Sequence, residues 1–78
     1  MSVKVLLVDD HNLVSEGITR IINSDNNYSV VAQLTNGFDA IEYVKNNVVH
    51  IIIMDINMPG IDGIAATQEI KKINPEIK

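Results

Sequence analysis

Ile51-Ile52-Ile53-Met54 places four large apolar residues in a row, and the run stops at a carboxylate, Asp55. It shows no alternation between an apolar and a polar face. Such a run fits a strand buried on both faces, as in parallel sheets covered by helices on each side. Parallel strands need crossover connections, so the rest of the chain has to supply helices between its strands. In open α/β sheets, ligands bind beyond the carboxyl ends of the strands. Asp55 therefore sits where chemistry is expected.

The remaining sequence meets that demand. Val3-Lys4-Val5-Leu6-Leu7-Val8 is a β-branched, apolar run ending at Asp9-Asp10 and reads as a first strand. Leu13, Val14, Ile18, Ile21 and Ile22 then recur at helical spacing, with Asn12 as a candidate N-cap and the apolar stripe as a core face. Ser24-Asp25-Asn26-Asn27 ends that helix. Tyr28 to Leu34 reads as a second strand centred on Val30 and Val31. Asn36 is placed to cap a second helix through Phe38, Ala40, Ile41, Tyr43 and Val44, which Asn46-Asn47 closes. Core or boundary packing is the default for Phe38 and Tyr43. Val49 to Met54 is the third strand. Asp62 caps a third helix through Ile64, Ala65, Ile70 and Ile73, where Glu69 and Lys72 are spaced for an ion pair and Pro75 forces a stop. The pattern βαβαβα predicts an α/β fold with parallel strands and right-handed crossovers.

Composition narrows the function classes. The chain has 78 residues, enough for one small domain. A chain of this size buries only roughly 60–65% of its unfolded surface, so stability is marginal. Six basic against ten acidic residues give a net charge of −4, with no basic run, which argues against direct nucleic-acid binding by these residues. There is no cysteine, hence no disulfide and no thiolate metal site, in keeping with a cytoplasmic location. The N-terminal apolar run is too short and too soon acidic to be a signal peptide or a membrane span. No Gly-rich phosphate loop follows the first strand; Asp9-Asp10-His11 stands there instead.

Two strands thus end in acids, Asp9-Asp10 and Asp55. If these strands are neighbours, three carboxylates meet at one edge, where mutual repulsion raises the cost of ionisation and calls for a cation. Mg²⁺ suits such a set, because it takes hard oxygen ligands and keeps positions for water and phosphate. An aspartate beside the ion can attack phosphorus and form an acyl phosphate. A single strand-end aspartate reads equally well as an ordinary solvated loop acid; the pair together with Asp55-x-Asn57-x-Pro59-Gly60 does not. His11 adjoins the acids and is a candidate to approach the metal or a phosphodonor, against its plainer role as a partly exposed helix-start residue. His50 reads as a pre-strand loop residue, Met54 as a packing residue, and Lys71-Lys72 as a solvated helix end.

Val8-Asp9-Asp10-His11, Glu16-Gly17 and Met54-Asp55-Ile56-Asn57-Met58-Pro59-Gly60-Ile61-Asp62-Gly63 together resemble the N-terminal part of a response-regulator receiver domain from bacterial two-component signalling, of the kind that precedes a helix-turn-helix DNA-binding domain. The resemblance runs the length of the chain. It implies a flavodoxin-like fold, here truncated to βαβαβα with a parallel three-stranded sheet ordered 2-1-3. It implies that Asp55 is the phosphoacceptor, that Asp10, Asp55 and the backbone carbonyl of Asn57 hold Mg²⁺, and that Asp9 acts through water. Met58, Pro59 and Gly60 would form the site loop, with Met58 exposed near the site, and Gly63 would start the third helix. A sensor histidine kinase would be the phosphodonor, DNA would be reached only through a C-terminal domain, and no membrane is involved.

Departures from the family pattern qualify these expectations. The family's Ser or Thr after a fourth strand and its Lys after a fifth have no counterpart; Thr67, Lys71, Lys72 and Lys78 do not match those positions. Val49-His50 stands where such receivers often carry Pro-Asp. Residues 1–78 are therefore expected to be the N-terminal portion of a receiver domain whose last two strands and helices are absent, phosphorylating poorly or not at all. An unpaired third strand and an uncovered sheet face predict self-association. Two other readings compete. One is a non-phosphorylated assembly fragment that uses the open strand. The other is an aspartyl phosphatase of the haloacid-dehalogenase kind, which needs a second Asp where this chain has Asn57 and is disfavoured because Asn cannot exchange a proton. The chain is accordingly expected not to be an enzyme in its own right.

Overall fold

Val5, Leu6, Leu7 and Val8 are the most deeply buried stretch among the described residues, each at most 2% exposed. The computed structural model, which describes residues 2–55 and 63–77, explains why. Strand β1 (Val3–Val8) lies at the centre of a three-stranded parallel sheet, with β2 (Tyr28–Leu34) on one side and β3 (Ile51–Met54) on the other. The order is β2-β1-β3, as the resemblance implies. Helices α1 (Asn12–Asn23), α2 (Gly37–Asn46) and α3 (Gly63–Ile73) alternate with the strands. Side chains alternate across a strand. Leu6 and Val8 accordingly pack with Ala40, Val44, Val49, Ile70 and Ile77 beneath α2 and α3. Val5, Ile51 and Ile53 lie on the opposite face, beside Ile21 and Ile22 of α1.

The doubly buried strand is thus β1 rather than β3. Helix α1 packs mainly on β2, with fewer contacts to β1. That leaves the β3 side of its face open, and Ile53 is 38% exposed. β3 also begins at Ile51 and not at Val49. Val49 is buried in the core before the strand starts, and pairing with β1 runs only from Ile51 to Met54. The β1–β2 ladder slips once: Val5 faces Val30 and Leu6 faces Ala32, so Val31, expected at the strand centre, is the extra residue of an irregularity.

The helix ends follow local chemistry. Asn36 caps α2, its side-chain oxygen accepting from the Asp39 amide at 2.9 Å while its Nδ2 donates to Asp39 Oδ2 at 3.0 Å. At the far end the side-chain Nδ2 groups of Asn46 and Asn47 donate to the carbonyls of Glu42 and Tyr43. Lys72 meets Glu69 at 3.1 Å on α3. Lys71 is not simply solvated; it donates to the carbonyls of Pro75 and Ile77 and ties down the segment after α3.

Helix α1 departs most from expectation. Its N-cap is His11, not Asn12, because the His11 carbonyl already accepts from the Ser15 amide at 3.0 Å and closes the first turn. Its apolar stripe is not a core face throughout: Leu13 is 85% exposed, and Val14 and Ile21 are also exposed, while Ser15 is buried. On α2, Phe38 is exposed rather than packed, and Tyr43 is part-buried against the core. Among the described residues no helix is long and apolar enough to cross a membrane.

Candidate metal centre

The parallel ladder aligns the acids. Val8 and Met54 are partners at the ends of β1 and β3, and the Asp55 amide donates to the Val8 carbonyl at 3.0 Å. On the other side the Asp9 amide donates to the Leu34 carbonyl at 2.9 Å. Backbone pairing therefore continues one residue past each strand and fixes Asp9 and Asp55 at the same edge. Asp10 follows Asp9, and His11 opens α1. One ligand atom from each of Asp9, Asp10, His11 and Asp55 can be chosen so that all lie within 4.8 Å of one another.

His11 binds this group together. Its backbone is extended (φ −95°, ψ 95°), and its side chain makes no capping bond to its own helix. The His11 amide donates to Asp9 Oδ1 at 2.9 Å, and ring Nδ1 lies 2.7 Å from that same oxygen. Nδ1 is also 3.1 Å from Asp10 Oδ1 and 3.6 Å from Asp55 Oδ2. The plainer expectation for His11 holds, since it stands at the helix start with its side chain 62% exposed; in addition its nitrogen reaches all three acids.

The electrostatics differ at Asp9 from simple repulsion. The amide hydrogen bond from His11 is the largest influence and holds the Asp9 carboxyl below the usual carboxylate value, against the opposing effect of burial. The Asp9 hydrogen bond, followed by the charge of Asp10, raises the His11 imidazole above its ordinary value; Asp55 adds a smaller push in the same direction. Carboxylate oxygens are hard donors, and three of them gathered at one strand edge suit a hard divalent cation that retains several waters. The donor set thus fits Mg²⁺.

The structure brings together Asp9, Asp10, Asp55 and His11 from the expected site set. Asn57, Met58, Pro59 and Gly60, like the Asp62 cap, lie outside the described residues. Gly63 opens α3 and is buried. Met54 packs against the core, as expected. One structural contact was not anticipated: Nδ1 of His50 accepts from the Lys4 amide at 2.9 Å, while the His50 amide donates to the Lys4 carbonyl at 2.9 Å. His50 thus pins the start of β3 to β1, far from the acids. The sequence signal for it was only a polar residue ahead of an apolar run.

Comparison with known proteins gives one answer. The response regulator receiver domain profile matches residues 5–78. Response regulator UvrY of Escherichia coli K12 is 41% identical over 76 residues, covering 97% of this chain and 35% of UvrY. A LuxR-family two-component response regulator from Aurantimonas sp. SI85-9A1 superposes with a TM-score of 0.92 at 32% identity, over 100% of this chain and 56% of that one. RcsB from Salmonella enterica serovar Typhimurium, solved bound to a promoter in the presence of phosphomimetic BeF₃⁻, superposes with a TM-score of 0.88 at 27% identity, over 100% of this chain and 40% of RcsB. The chain spans about a third of the length of UvrY. With residues 5–78 matched by the family profile and the acids gathered at the strand ends, the chain belongs to the response regulator receiver domain family.

Proposed function

We propose that Asp55 accepts a phosphoryl group, with Mg²⁺ held by Asp10 and Asp55, by the Asn57 carbonyl, and by Asp9 through water. The observation that carries this reading is the convergence of Asp9, Asp10 and Asp55 on one strand edge in a chain of the receiver family. A carboxylate oxygen of Asp55 attacks phosphorus, the bond from phosphorus to the donor breaks, and the donor leaves with its electron pair. A phosphoimidazole on a sensor histidine kinase, or a small acyl phosphate, suits this step. When bound, the metal offsets charge on the phosphoryl oxygens. Asp10 would hold the cation on the side of Asp55, and Asp9, fixed by the His11 amide, would take it through water.

The phosphoryl signal passes to an output domain in a longer protein, and the RcsB structure, solved on a promoter, favours a DNA-binding output. Residues 1–78 are then the N-terminal portion of the receiver domain. No Lys or Ser/Thr of the family pattern stands among them to pair the phosphoryl oxygens, so the chain alone is expected to accept phosphoryl at low yield. Chemical-shift titration with Mg²⁺ tests the site. Saturable shifts centred on the amides of Asp9, Asp10 and Asp55, lost in Asp10→Asn and Asp55→Asn, are expected. Shifts spread evenly over all exposed acids would overturn the metal assignment.

A further inference from the structure

We infer that the His11 ring is a placeholder in the acid pocket, which a divalent cation has to displace, so that His11 sets the metal affinity of the site. The inference rests on the reading of Asp9, Asp10 and Asp55 as the Mg²⁺ site. Its basis is the position of ring Nδ1, 2.7 Å from Asp9 Oδ1, 3.1 Å from Asp10 Oδ1 and 3.6 Å from Asp55 Oδ2.

Adjacent oxygens around an octahedral Mg²⁺ stand about 3 Å apart. Relative to Asp10 Oδ1, the His11 nitrogen thus occupies the spacing of a neighbouring ligand or bound water of the ion. It does not act as that ligand. Nδ1 is turned onto Asp9 Oδ1 at hydrogen-bond distance, so it presents a proton towards the carboxylates rather than a lone pair to a cation. Mg²⁺ also prefers oxygen donors and holds its waters tightly. Ring and hydrated ion therefore compete for one space.

The ring is free to leave. The His11 side chain is 62% exposed and makes no capping hydrogen bond to α1, so rotation about its Cα–Cβ bond gives up its contacts with the acids and no helix cap. The backbone bond from the His11 amide to Asp9 Oδ1 does not depend on the ring and can keep Asp9 in place after the swing. The consequence is a two-position side chain: inward without the cation, bridging three carboxylates, and outward with it.

The test is an Mg²⁺ titration of the 78-residue chain and of His11→Ala at one fixed pH, followed by amide chemical shifts, with the His11 ring signals and their contacts to Asp9 followed in the unsubstituted chain. His11→Ala is expected to bind Mg²⁺ more tightly, with Kd lowered by about tenfold, the worth of one hydrogen bond to a charged group. His11→Asn, which keeps a favourable N-cap residue but cannot span the acids, should behave like the alanine variant. In the unsubstituted chain, saturation with Mg²⁺ should remove the ring–Asp9 contacts. Equal or weaker binding by both variants, or a ring that keeps its Asp9 contacts at saturation, overturns the placeholder role while leaving the metal site intact. Absence of Mg²⁺ binding in every form overturns both.

Discussion

Replacing Leu6 by alanine tests whether the sheet that positions the acids is packed as described. Leu6 is fully buried in the central strand, against α2 and α3, three residues before Asp9. The change removes three carbons. At about 0.8 kcal/mol for each, lost transfer alone amounts to about 2.4 kcal/mol. The cavity left between β1 and the two helices brings the total to about 3–4 kcal/mol. For a chain of 78 residues, whole stability is on the order of 4–12 kcal/mol. Leu6→Ala therefore removes a large share of it. In urea, with a slope near 1 kcal/mol per molar, the unfolding midpoint should fall by about 3–4 M. Leu13→Ala is the control, because that leucine is 85% exposed although it belongs to the same helix as the buried Ser15; its cost should stay within about 0.5 kcal/mol. A loss below about 1 kcal/mol for Leu6→Ala, or an equal loss for Leu13→Ala, would refute the assignment of core and surface.

Asn36→Ala should destabilise by about 1 kcal/mol in the same urea assay, because the Asp39 amide loses its capping oxygen. The Asp9–His11 contact should stabilise most strongly between the two ordinary values, about 3.8 for the carboxyl and 6.5 for the imidazole. His11 is raised in the fold, so its contribution is full below 6.5 and is lost as pH rises through the raised value. Asp9 is lowered, so its contribution is present above 3.8 and is lost as pH falls through the lowered value. Denaturation across pH should show this window flatten in Asp9→Asn. Self-association through the open β3 side should appear in scattering as a mass that rises with concentration and should weaken in Ile53→Lys; a monomer at every concentration would exclude it.

The parts of this structure that were legible in the sequence are those set by local rules. Three apolar runs separated by helical spacings define a parallel sheet, and parallel strands bring Asp9, Asp10 and Asp55 to one edge whatever the details of packing. The cap at Asn36 and the Glu69–Lys72 pair follow from side chains three residues apart. What failed depended on neighbours. Periodicity marks the apolar face of α1 but not which surface covers it, so Leu13, Val14 and Ile21 are exposed while Ser15 is buried. The Ser15 and Thr19 hydroxyls on that helix are buried with no hydrogen-bond partner among the described residues, which no propensity rule anticipates. Phe38 is exposed for the same reason as Leu13: apolar character alone does not supply a partner. The depth of engagement of His11 also escaped the sequence. Its place beside two acids made contact plausible, but the reach of one nitrogen to three carboxylates depends on the extended backbone at the N-cap.

Intact-mass measurement after incubation with a small acyl phosphate and excess Mg²⁺ addresses the role of Asp55 most directly. The expected result is a minor species heavier by one phosphoryl group, localised to Asp55, dependent on Mg²⁺, reduced in Asp10→Asn and absent from Asp55→Asn. Labelling that survives in Asp55→Asn, or that proceeds equally well without a divalent cation, would contradict the assignment of Asp55 as a metal-assisted phosphoacceptor.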